Sequence, residues 1–143
     1  MFRSLRKVHQ SEGVCVVGYP LHGRVAIKPI LVSGKAVDVE SKLRPGRFTM
    51  KIDVRRGNSG GPILDCAGQV VGVVVAKVNT LNVYATTGRL VRNVRIGIRL
   101  AVAVDFLKKH DVPIRDVSLA PPLTKSEVYA KAHHYVGQVE SWR

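Results

Sequence analysis

Gly57-Asn58-Ser59-Gly60-Gly61-Pro62, running at once into Ile63-Leu64, is the stretch on which the reading of this chain turns. One glycine is enough for most turn types. Three glycines and a proline around one serine point to more than a turn. They point to backbone held at φ values closed to other residues, and to a main chain that another chain approaches closely. Consecutive N–H groups facing one small concavity make an anion-binding nest. Beside a hydroxyl, such a nest reads as an oxyanion hole, which stabilises the tetrahedral intermediate of acyl transfer.

The flanks on both sides are strand-like. Before the loop, Phe48, Met50, Ile52 and Val54 alternate with Arg47, Thr49, Lys51 and Asp53, a period-two strand with one apolar and one polar face. After it, Asp65-Cys66-Ala67-Gly68 reads as a hairpin turn. Val70 to Val78 is then a Val-rich strand, apolar on both faces through Val75 and central in its sheet.

Further out, Val14 to Val17 is a short strand closed by Gly18-Tyr19-Pro20. Val25 to Val32 is another, with Pro29 at an edge or bulge. Ser33-Gly34 is expected to break it from a short strand at Lys35 to Val39, and Ser41 to Gly46 to turn. Val83-Tyr84 is a short extension inside a loop, and Val94 to Ile98 a further strand. Leu100, Ala103 and Leu107 fall at helical spacing, so Leu100 to His110 reads as an amphipathic helix stopped by Pro113. Asp116 to Leu123 is a linker. Thr124-Lys125-Ser126-Glu127 is a capping box for a second helix to about His134, with Val128, Ala132 and Tyr135 as its apolar stripe. Val136 to Trp142 is expected as a last strand. About seven short strands between glycine-rich turns indicate a barrel or sandwich.

Gly57 to Pro62 together with Asp65-x-x-Gly68-x-Val70-Val71-Gly72-Val73 resembles the nucleophile segment of trypsin-like serine proteases, nearest their bacterial high-temperature-requirement branch. Gly18 to Gly23 is similar to that family's Gly-x-Pro loop, and Asn93-Val94-x-Ile96-Gly97-Ile98 to the strand that closes its specificity pocket. The resemblance covers residues 13–112. It implies a mainly β fold: an antiparallel, six-to-seven-stranded Greek-key β-barrel, the C-terminal half of a trypsin-like double barrel, with a C-terminal helix and an extra helix–strand tail. The expected organisation is a polar N-terminal segment at 1–12, the barrel with its closing helix at 13–112, and a linker and tail at 113–143.

The resemblance also implies roles. Ser59 is the nucleophile, and the N–H groups of Gly57 and Ser59 form the oxyanion hole. Val74, Val75 and Ala76 lie on the strand that pairs with a bound peptide and lines its first pocket. No acidic residue occurs there, so a small apolar pocket is expected. Arg55-Arg56 put positive charge on the rim, which favours acidic residues in a bound peptide or is simply solvated.

A serine hydroxyl needs a base, usually a histidine oriented by a carboxylate. The family carries both in an N-terminal barrel, upstream of this chain's first residue. His9, His22, His110, His133 and His134 match the base by no motif, and His133 and His134, being adjacent, point to different faces of a helix. The expectation is therefore a serine endopeptidase barrel without its histidine and aspartate half, nearly inert alone, acting on peptide or protein substrates, with an N-terminal barrel as partner and an apolar face prone to self-association. The alternative is a non-catalytic peptide- or polyanion-binding module.

Composition bounds these readings. The formal net charge is +13, which attracts polyanions. No continuous basic run occurs, aromatic residues are not interleaved with basic ones, and Arg89, Arg92, Arg95 and Arg99 read as a solvated loop and strand face. Hydrophobic residues make up 45%, enough for a core and against disorder. No apolar run reaches the ~20 residues of a membrane span. Met1 to Gln10 has no apolar segment behind its basic residues, so no signal peptide is read. The expected compartment is the cytosol, or a periplasmic or secreted one if the true start lies upstream. Cys15 and Cys66 have no metal-ligand spacing and are read as buried or half-buried free thiols. No cofactor and no metal is expected.

Overall fold

The alternation at residues 47–54 is what the barrel wall needs, since successive side chains of a strand face opposite sides. A computed structural model describes residues 2–3, 7–20, 28–40, 45–77, 88, 93–118 and 120–139. In it Phe48, Met50, Ile52 and Val54 are buried while Arg47, Lys51 and Asp53 are exposed. The strands are β1 (Phe2–Arg3), β2 (Gly13–Gly18), β3 (Ile30–Asp38), β4 (Arg47–Lys51), β5 (Pro62–Leu64), β6 (Val70–Lys77), β7 (Val94–Arg99) and β8 (Asp116–Val117). The helices are α1 (Leu100–Lys109) and α2 (Lys125–Ala132).

Among the described residues, six strands close a barrel in the order β5-β2-β3-β4-β7-β6, with β5 pairing back onto β6. Every one of these pairings is antiparallel. Strands β2, β3 and β4 follow one another and β5 returns beside β2, which is a Greek key. Two short parallel ladders lie outside: β1 on β6 through Phe2 and Val70, and β8 on β1.

The interior is filled by Val14, Val16, Phe48, Met50, Ile63 and Val74. A second cluster joins the outer face of β2 and β5 to the helices through Val17, Leu64, Leu100, Val104, Val128 and Ala132. Each fully buried Val, Leu, Ile, Phe or Met among them contributes about 1.5–3 kcal/mol relative to exposure. The α2 cap is a complete capping box: Thr124 Oγ1 accepts from Glu127 N, and the Glu127 carboxylate accepts from Thr124 N.

Several expectations are corrected. Ser33-Gly34 does not break a strand; β3 runs straight through it. Gly34 is there for close approach, because a Cβ would lie 2.2 Å from Lys51 O and 2.7 Å from Ile52 Cβ. The buried residues of α1 are Leu100 and Val104, four apart, while Phe106 is 61% exposed. Tyr135 is exposed rather than part of the α2 stripe. Asp116 and Val117 form β8 within the expected linker, and residues 136–139 carry no strand. Cys15 is buried as expected, but Cys66 is exposed, and both are free. Burial first, then the neighbouring Cys66, push the Cys15 thiol above its ordinary value. The sequence features at Gly23, Val83-Tyr84, Arg89, Arg92 and Trp142 lie outside the described residues.

Phe48 owes its place to two glycines on neighbouring strands. A Cβ on Gly97 would meet Ile63 Cδ1 at 2.5 Å and Phe48 Cε1 at 3.0 Å. One on Gly72 would meet the backbone oxygen of Ile98 at 2.5 Å and Phe48 Cε1 at 2.9 Å. Side-chain ends yield and backbone does not. Gly97→Ala is therefore expected to cost about 1–3 kcal/mol through overpacking, and Gly72→Ala more. Adding Phe48→Leu should recover part of the Gly97→Ala loss and little of the Gly72→Ala loss in urea titrations. Equal recovery in both pairs would disprove the backbone argument.

Candidate active site

The buried end of the β4 alternation, Val54, delivers the chain into a loop at residues 55–61 built from two tight turns. Asn58 N donates to Arg55 O at 3.4 Å and Gly61 N to Asn58 O at 3.0 Å. Gly57 has φ 97° and Gly60 φ 84°, the left-handed region. At Gly60 a Cβ would meet nothing within 4 Å, so the glycine is required by its backbone angle and not by space. The loop is fastened to β6 on both sides of one residue: Gly60 N donates to Val74 O at 2.7 Å and Val74 N to Gly61 O at 2.9 Å.

Asn58 is buried at 1% exposure, and its side-chain amide has no hydrogen-bond partner among the described residues. It packs on β2 where a Cβ at Gly18 would lie 2.5 Å from Asn58 Oδ1. A buried side chain beneath an exposed neighbour fixes the orientation of the loop, and Ser59 stands exposed at its tip.

The hydrogen bonds of this loop leave a pattern. The N–H groups of Asn58, Gly60 and Gly61 each have a backbone acceptor. Those of Gly57 and Ser59 have none among the described residues, and both residues are exposed. Gly57 and Ser59 sit on either side of Asn58 in the chain.

Ser59 opens onto a cleft of about 520 Å³ lined by Asp53, Val54, Arg55, Arg56, Val74 and Arg95. Charged side chains dominate this cleft, with Val54 and Val74 as its apolar wall. Of the three residues expected to bind substrate, Val74 lines the cleft and Val75 does not. The β6–β7 register shifts between Val74 and Ala76, so Val75 has no cross-strand partner on β7. Ala76 pairs with Ile96. None of the described histidines lines the cleft: His110, His133 and His134 are exposed beyond it, and His9 lines a separate depression with Glu12 and Cys66. His22 lies outside the described residues.

Arg95 overturns one expectation outright. It is not on a solvated strand face but 8% exposed, with Nε and Nη2 donating to Val54 O at 2.9 and 2.6 Å and Nη1 to Val94 O at 3.1 Å. Asp53, Asn58 and Arg95 are the site residues that the sequence did not single out. The only available signal for Arg95 was its position inside the apolar run Val94 to Ile98.

A family model for the trypsin-like peptidase domain matches residues 2–73. Uncharacterized protein y4bJ of Sinorhizobium fredii is 34% identical over 102 residues, which are 71% of this chain and 16% of that protein. Serine endoprotease DegS of Haemophilus influenzae is 26% identical over 108 residues, 74% of this chain and 30% of DegS. Serine protease Rv3671c of Mycobacterium tuberculosis is 41% identical over 69 residues, 43% of this chain and 17% of its own length. The chain thus spans less than a third of the length of these curated relatives, between 16% and 30%. Among solved structures, the inactive form of the Rv3671c protease has a TM-score of 0.56 at 20% identity, covering 78% of this chain and 55% of that one. A serine endoprotease from Yersinia pestis has a TM-score of 0.58 at 18% identity, covering 76% and 34%. At such identities these two likenesses speak for the fold. Among the described residues no helix is long and apolar enough to cross a membrane.

Proposed function

The chain belongs to the trypsin-like peptidase family, and from that premise we propose that it carries the nucleophile half of a serine endopeptidase. The observation that supports this reading most is that the N–H groups of Gly57 and Ser59 have no acceptor among the described residues, while those of Asn58, Gly60 and Gly61 are fixed by backbone acceptors. Ser59 Oγ attacks the scissile carbonyl. The developing oxyanion is held by Gly57 N and Ser59 N, preorganised by the Val74 fastening and by buried Asn58. The peptide lies as an added strand along β6. Val74, Val75 and Ala76 are its contact residues on this reading.

The base is a histidine, with its aspartate, on a second barrel outside residues 13–112. Those residues form the barrel and its closing helix. Residues 1–12 and 113–143 are flanking segments fastened to it by Arg3 and by Val128. The test is covalent. The chain is joined to or mixed with a family N-terminal barrel, treated with a fluorophosphonate, and the adduct mapped by mass spectrometry, with Ser59→Ala as control. An adduct on Ser59 is expected, and a modified residue other than Ser59 would refute the assignment.

A further inference from the structure

We infer that Arg95 makes the cleft beside Ser59 a receptor for a carboxylate side chain, so that the substrates are peptides with glutamate or aspartate next to the scissile bond. The inference deepens the endopeptidase reading and rests on it.

Arg95 is a cation shielded from water, at 8% exposure, on the wall of the cleft that Ser59 opens onto. A buried charge is costly unless it is paired. Its acceptors are two backbone carbonyls, Val54 O and Val94 O. The ion pairs found among the described residues belong to Arg3, and none reaches Arg95. A guanidinium carries five N–H donors. Its three hydrogen bonds leave two donors unspent. The paired hydrogen bonds from Nε and Nη2 to Val54 O hold the guanidinium in place before any ligand arrives, so little ordering is left to binding.

The rim has the same sign. Arg55 and Arg56 are exposed lining residues, against one exposed carboxylate, Asp53. An arginine fork in a shielded site matches a carboxylate in charge and in geometry. A lysine or arginine side chain would instead bring a second cation against it, which is selection by repulsion. Asp53 offsets this weakly, because exposed charges contribute little.

The test is binding to the full chain carrying Ser59→Ala, which makes it independent of the nucleophile. C-terminally amidated peptides identical except for one Glu, Gln, Leu or Lys are titrated by calorimetry, so that the side chain is the only carboxylate. The Glu peptide should bind about 10–100-fold more tightly than the Gln peptide, as expected for a charge-assisted hydrogen-bonded pair. Arg95→Met should abolish that ratio, and Arg95→Lys should retain part of it. If Arg95→Met fails to fold, the Glu/Gln ratio of the parent and the Arg95→Lys chain still decide.

Equal binding of Glu and Gln peptides would overturn the inference. So would preference for Lys, a ratio that survives in folded Arg95→Met, or a Gln peptide with a free C-terminus that binds as well as the Glu amide. Ser59 labelling without a Glu preference sinks this inference alone. A Glu preference without labelling sinks the nucleophile assignment alone.

Discussion

Fluorophosphonate labelling of Ser59 in this chain alone is expected to run about 10⁴–10⁶-fold slower than in the same residues joined to a barrel that supplies a histidine and an aspartate, the range that loss of triad members costs serine proteases. The loop geometry survives in the single barrel: Val74 fastens it and Asn58 lies buried beneath it. Among the described residues no histidine lines the cleft beside Ser59, and its one carboxylate, Asp53, has no histidine there to orient.

The pH profile separates the two cases. In the joined protein the labelling rate should rise through the histidine range, near pH ~6.5, and level off. In the chain alone it should climb with hydroxide and show no such inflection. A histidine-like inflection in the chain alone, lost in Ser59→Ala, would mean that a residue of this chain serves as base, with His22 and His9 the first to replace.

The parts of this fold that the sequence displays are those whose cause is local. Alternation at Phe48 to Val54 is a property of neighbouring residues and predicts its buried face correctly. The α2 cap is legible because Thr124 and Glu127 sit one turn apart. Gly34 misleads because its reason is Lys51 and Ile52 on the next strand, and a glycine inside an apolar run looks like a stop when that strand is not in view. β8 escapes notice because its two residues pair only with β1, a parallel contact with no period of its own.

The site divides the same way. The density of glycines around Ser59 announces a backbone-donor loop. The charge of the cleft is hidden, because it depends on β7 bringing Arg95 under Val54 O. Val75 and Ala76, expected in the pocket wall, are set by a register shift that no sequence spacing records.

Asp65→Ala is expected to cost about 2–5 kcal/mol, because two buried N–H groups lose their acceptor at about 1–3 kcal/mol each and Arg3 loses a carboxylate partner. Asp65 is 6% exposed and Arg3 2%. Arg3 Nη1 lies 3.3 Å from Asp65 Oδ2 and also pairs with Glu12. Asp65 Oδ1 accepts from Ala67 N and Gln69 N, both at 2.9 Å, which shapes the turn between β5 and β6. One side chain thus holds the N-terminal strand through Oδ2 and the hairpin turn through Oδ1.

Asp65→Asn keeps an acceptor for the turn and loses the charge, so it should fall between wild type and Asp65→Ala in denaturant midpoint. The double variant Asp65→Ala/Arg3→Met should be less destabilised than the sum of the singles, because the Arg3–Asp65 contact is then lost once and not counted twice, while the loss of Glu12's partner is already in the Arg3→Met single. Strict additivity would show that the pair is not coupled, and a loss below about 1 kcal/mol would place it with screened surface pairs. The consequence for the active site follows from the chain path. This turn sets how β6 meets β5, and Val74 on β6 is the residue that holds Gly60 and Gly61. Folded Asp65→Ala protein, joined to its second barrel, should therefore lose labelling of Ser59 in excess of its loss of folded population.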